Sequence, residues 1–152
     1  MGSVSTPIWG SCAEVFGRLA GKWTIDRRIE NHGSLEGVAS FTPTATGWAN
    51  YHEEGRLRLD HGYEGDVEQR YLYRQLGVGF AVYFRDEPLR LFHEIHLAPS
   101  EQAHLSGDAK HWCKSDLYVT RYDFMLGGNF VIRHRVRGPR KDYTTYTWYR
   151  RA

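Results

Sequence analysis

Arg27, Glu53, His93, Asp116 and His134 each fall on the parity of a period-two segment whose other members are mostly apolar. A polar group taken inside a fold must find a partner or carry a desolvation penalty, so a barrel that needed only packing would keep these residues out. Imidazoles titrate near neutrality and carboxylates orient them, which is the equipment of proton transfer. Gln69, Tyr71, Tyr73, Tyr118 and Tyr122 share the inward parities and would give the same volume polar, aromatic walls. The pattern predicts a cavity that holds a small molecule, and leaves open whether that molecule is only bound or also turned over.

Each of these residues admits two roles. Arg27 shares a face with Trp23, Ile25 and Ile29; it either stacks on a ring to close one end of a barrel or holds a ligand carboxylate or phenolate through paired hydrogen bonds. Glu53, on the face of Tyr51, Leu57 and Leu59, either pairs with Arg27 or has a raised pKa. His93 is expected inward with Leu89, Leu91, Ile95 and Leu97, and His134 with Phe130, Ile132 and Val136. Asp116 shares the parity of Tyr118, Tyr122 and Phe124, so two imidazoles and two carboxylates are expected to converge. Lys141 is expected over the mouth, where it could attract an anion.

The elements that must position them are mostly strands. Pro7 in a first turn, followed by Ile8, Trp9, Cys12, Val15, Phe16 and Leu19 at helical spacing, predicts a helix over 7–20 that lies across a barrel end. From Lys22 the period is two. About nine segments alternate, separated by turn residues such as Asn31-His32-Gly33, Asp60-His61-Gly62 and Gly127-Gly128-Asn129. Pro99 to Lys114 reads as a loop or frayed hairpin near the mouth. Successive hairpins without long crossovers predict an all-β, antiparallel up-and-down barrel over 22–151, in one domain spanning 1–152.

Twenty basic and eighteen acidic residues give a formal charge of +2, too weak a field to point to nucleic acid or a membrane as partner. Arg133, Arg135 and Arg137 alternate along one segment and read better as a solvated exterior than as a phosphate stripe. Cys12 and Cys113 lack paired spacing, and no run is long and apolar enough for a membrane span, so a soluble, cytoplasmic protein is expected. His111-Trp112-Cys113 fits no tetrahedral metal pattern, and His93 and His96 would sit on opposite faces of a strand; no metal site is expected.

Gly21-Lys22-Trp23, opening the first strand, resembles the start of lipocalins and related calycin barrels. Together with Tyr51-His52-Glu53-Glu54-Gly55, Phe92-His93, His111 to Tyr118 and Gly138-Pro139-Arg140-Lys141-Asp142-Tyr143, it resembles a functionally unassigned family of small lipocalin-like proteins. The resemblance implies a barrel with a cavity, not a reaction. Nitric-oxide-binding haem barrels of the calycin group open with further glycines that Thr24-Ile25-Asp26-Arg27 lacks; no cofactor is expected, and haem is disfavoured. The leading expectation is therefore binding of a small, partly apolar, anionic or aromatic molecule. The alternatives are a cofactor-free acid–base enzyme using His93, Glu53 and Asp116, and a filled barrel serving as an interaction module.

Overall fold

The computed structural model describes residues 8–152. Eleven strands make one antiparallel sheet: β1 Gly21–Ile29, β2 Gly33–Pro43, β3 Trp48–Leu59, β4 Glu64–Leu76, β5 Gly79–Phe84, β6 Arg90–His96, β7 Ala98–Pro99, β8 Leu105–Cys113, β9 Asp116–Phe124, β10 Phe130–Arg137 and β11 Asp142–Arg151. The order β6-β5-β4-β3-β2-β1-β11-β10-β9-β8-β7 is an up-and-down meander rolled until its ends meet. The nine expected strands are present. The additional two, β7 and β8, come from the stretch expected to be a loop. Its inward positions include Gly107, Ala109 and His111, which carry little apolar signal, and the ladder from Leu105↔Phe124 to Cys113↔Asp116 supplies the order instead.

Closure is by packing: β6 and β8 are not neighbours in the hydrogen-bonded sheet. Gly107 lets them approach, for a Cβ there would lie 2.7 Å from Ile95 Cγ2 and 2.8 Å from the His96 carbonyl oxygen. A second close approach joins β2 to β3, where Gly37 faces Gly55 in register. A Cβ on Gly37 would lie 2.0 Å from the Glu54 carbonyl oxygen, a backbone atom that cannot swing away. Gly37→Ala is expected to destabilise the barrel by about 1–3 kcal/mol, read as a drop of roughly 3–10 °C in the thermal midpoint; an unchanged midpoint would show that the strands can separate at no cost.

One end is sealed. The expected helix over 7–20 reduces to α1, Val15–Arg18, because Gly10 takes a left-handed φ of 70° and residues 11–14 form turns. Pro7, its expected first-turn residue, lies outside the described residues. The covering role is still filled by Trp9, Val15 and Leu19, which are buried, whereas Ile8 is exposed. Trp9 stacks on Trp23 at 5.8 Å, and the Trp23 indole donates to the Leu19 carbonyl at 2.9 Å. The Arg151 guanidinium lies 3.9 Å from the centre of the Trp23 ring and donates to the carbonyls of Ala20 and Arg18. Arg151, not Arg27, is the cation that closes this end. Phe124, Phe130 and Tyr149 continue the stack inward, with Phe130 on Tyr149 at 4.2 Å.

Candidate functional site

Above that plug the barrel keeps a cavity of about 200 Å³. Its floor is a polar network. Arg27, from β1, reaches across β2 to Glu53 on β3 with both terminal nitrogens, Nη1 to Oε2 at 2.7 Å and Nη2 to Oε1 at 2.9 Å, while its Nε donates to Thr147 Oγ1 at 2.7 Å. The Tyr51 hydroxyl donates to Glu53 Oε1 at 2.6 Å and lies 2.6 Å from the Tyr149 hydroxyl. Burial by itself would raise the Glu53 carboxyl, but the Arg27 fork and the Tyr51 donor outweigh it, and its pKa is lowered. The same pair holds Arg27 charged against its own burial. Of the two roles open to Glu53, the geometry assigns pairing.

A second, neutral network lines the opposite wall. Tyr73 and Tyr122 hydroxyls meet at 3.0 Å, and Tyr122 continues to His93 Nε2 at 3.2 Å. Nδ1 of His93 is buried without a partner. His134 meets Thr120 Oγ1 through Nδ1 at 2.8 Å, and its Nε2 has no protein partner among the described residues. Burial pushes both imidazoles down, His93 to about 3 and His134 to about 4; their mutual repulsion adds for His93, and Arg27 adds for His134. Both rings are therefore neutral at pH 7. Tyr71 is pushed up to about 12 by burial and by Glu53, so it remains a neutral donor.

Phe92 also lines this space, and sequence parity does not reveal it. The register shifts between Val82 and Tyr83, which face His93 and Leu91 respectively, so Phe92 is the extra residue of a β-bulge. Both Phe92 and His93 turn inward, while Leu89 and Leu91, expected beside His93, stand exposed. The Phe92 ring lies parallel to His134 at 5.9 Å and 5.5 Å from the ring of His111, whose Nε2 is also buried without a partner.

Arg27, Glu53, Gln69, Tyr71, Tyr73, His93, Tyr118, Tyr122 and His134 all contribute to the cavity wall. Asp116 does not. It is the first residue of β9, at the hairpin, where it makes an ion pair with Lys141 at 3.4 Å. Lys141 also donates to the Tyr118 hydroxyl at 3.3 Å, so both charges belong to the rim and one carboxylate, not two, meets the imidazoles. Tyr51 shares the parity of Glu53, but nothing in the sequence marks Tyr51 as the donor to Glu53, Thr147 as the acceptor for Arg27 Nε, or Tyr149 as the partner of the Tyr51 hydroxyl. Outside the barrel, His52, Glu54 and Glu68 come within 4.8 Å of one another, with His52 already bonded to Glu68 at 3.0 Å. They are exposed or half-exposed and stand apart from the cavity.

Fold and site together define a near-closed, antiparallel up-and-down barrel with a small polar-aromatic hollow open at one end. The chain belongs to the Family of unknown function (DUF6314), whose model matches residues 19–151. No curated protein matches it. Among the described residues, no helix is long and apolar enough to cross a membrane.

Proposed function

We propose that this lipocalin-like barrel binds one small, uncharged, partly aromatic molecule through hydrogen bonds to His134 and His93. The observation that carries this reading is the state of Arg27: all three of its donor nitrogens are engaged by Glu53 and Thr147. The anchor expected for a ligand carboxylate is thus already occupied, and an anion entering the hollow would face Glu53 with no free cation. The ring nitrogens of the wall that lack a partner are neutral, Nε2 of His134 and the buried Nδ1 of His93. A volume of about 200 Å³ is below the roughly 300–1,000 Å³ of pockets for drug-sized ligands. An apolar cavity of about 150 Å³ already holds benzene, so a single substituted ring is the matching size.

Two observations weigh against the other readings. A general base works best with a pKa near the operating pH, whereas both imidazoles lie well below neutrality and Glu53 is held ionised by Arg27. The unfilled volume weighs against a plugged barrel acting only as an interaction module.

Phenol and benzoate, titrated against isotope-labelled protein, separate these possibilities. Phenol is expected to saturate, with shifts centred on His134, Tyr71 and Tyr118, and benzoate to bind at least about tenfold more weakly because its charge is left unpaired. His134→Phe keeps the ring and removes the acceptor, and should weaken phenol about fivefold, in line with one lost hydrogen bond. Tighter binding of benzoate, or no saturable shift with either probe, would overturn the proposal.

A further inference from the structure

The outer surface beside the open end carries a feature unrelated to the cavity. Across the unladdered seam the Phe92 ring on β6 lies 5.5 Å from that of His111 on β8, and Arg90 Nη1 lies 3.9 Å from Cys113 Sγ, so Leu91 and Trp112, of the opposite parity, fall on the outer side. Trp112 is 66% exposed, Leu89 46% and Leu91 42%. Large apolar side chains exposed on two adjoining segments are the kind of surface that marks an interaction site.

The register continues this patch into cations. Trp112 pairs with Leu117, which pairs with Arg137; one step further from the rim, Lys110 pairs with Val119 and Val119 with Arg135. Leu117 and Val119 floor a shallow outer groove flanked by Arg133, Arg135 and Arg137. Arg135 is neutralised by Asp142 at 2.6 Å, but Lys110, Arg133 and Arg137 have no ionic partner among the described residues. The outward face thus joins a tryptophan, three leucines and a valine to a fringe of unpaired positive charge.

We propose that this face docks on an anionic lipid surface, with Trp112, Leu89 and Leu91 entering the headgroup boundary and Lys110, Arg133 and Arg137 facing the lipid charges. Tryptophan favours that boundary because its ring is apolar and its N–H is polar. Unpaired Lys and Arg beside an apolar patch are the complement of an anionic leaflet. Aliphatic Leu89, Leu91, Leu117 and Val119 favour acyl chains over nucleic-acid bases, which stack on flat rings. This departs from the expectation of no membrane partner, which rested on the net charge and the missing span; a patch that lies on a surface needs neither.

Cosedimentation of the full chain with vesicles of phosphatidylserine and phosphatidylcholine, against phosphatidylcholine alone, tests it. Binding is expected only to the anionic vesicles and should fall as salt is raised. Trp112→Ala should weaken it about tenfold, and Arg137→Gln about fivefold, with thermal midpoints unchanged because both side chains are exposed. Phenol titration of the same variants should be unaffected, which keeps this outcome separate from that of the cavity. No sedimentation with anionic vesicles, full binding by Trp112→Ala, or tighter binding to a single-stranded oligouridine than to vesicles would overturn the proposal.

Discussion

Glu53→Ala is expected to cost about 3–5 kcal/mol of stability, the effect of leaving one member of a buried ion pair without the other. Arg27 would lose both hydrogen bonds of its bidentate pair, and the Tyr51 hydroxyl its carboxylate acceptor, in a site where Glu53 is 4% exposed. In a chain of this size the loss lowers the thermal midpoint by roughly 6–20 °C. The pair itself need not be net stabilising, because two charges were desolvated to form it. Replacing both charges and the dependent hydroxyl with apolar groups, as Arg27→Met, Glu53→Leu and Tyr51→Phe together, is therefore expected to recover at least half of the loss. Calorimetry on the single and triple variants decides the matter. A midpoint for Glu53→Ala within a degree or two of the parent would mean that water, not Glu53, satisfies Arg27.

That pair also shows how far residue patterning reaches. Parity on β1 and β3 was enough to aim Arg27 and Glu53 inward, because a strand buried on one face fixes the direction of every second side chain. Their pairing follows from strand order, since only β2 separates them in the sheet. Parity fails where the ladder slips. The bulge opposite Val82 and Tyr83 inserts Phe92 and sends Leu89 and Leu91 outward, and no local signal in Leu89 to Leu97 records a slip that depends on the partner strand. β8 was hidden for a different reason: with Gly107, Ala109 and His111 on its inner face, its apolar contrast is too low for a period to be seen. Asp116 had the right parity at the wrong height, because alternation reports the side of a sheet and not the depth along the barrel. The end-closing cation is the clearest case of tertiary choice. Arg27 shares the parity of Trp23 and Arg151 that of Tyr149, and only the return of β11 beside β1 brings Arg151 over Trp23.

Stability is expected to fall steeply between pH 6.5 and pH 4.5, before any carboxylate takes part. His93 and His134 have folded-state pKa values of about 3 and about 4, far below the ordinary value of 6.5. With a depressed pKa, the unfolded chain binds the proton first, so the stabilising contribution of each neutral ring is complete above pH 6.5 and is lost as the pH drops toward the folded value. Each ring contributes a slope of about 1.4 kcal/mol per pH unit over that window. Two rings over two units give a loss on the order of 5 kcal/mol by pH 4.5, an upper figure because repulsion between them is shared. Glu53 follows in a separate window: its pKa is lowered from 4.5, so its contribution persists above that value and declines only as pH falls through the still lower folded value. Denaturant unfolding at half-unit pH intervals should therefore show two slopes, the upper one owned by the imidazoles. His134→Phe is expected to remove about half of the slope between pH 6.5 and pH 4.5 and leave the lower limb in place. A flat profile down to pH 4.5 in the parent would place both rings in contact with solvent and remove the neutral hydrogen-bonding wall on which ligand binding is argued.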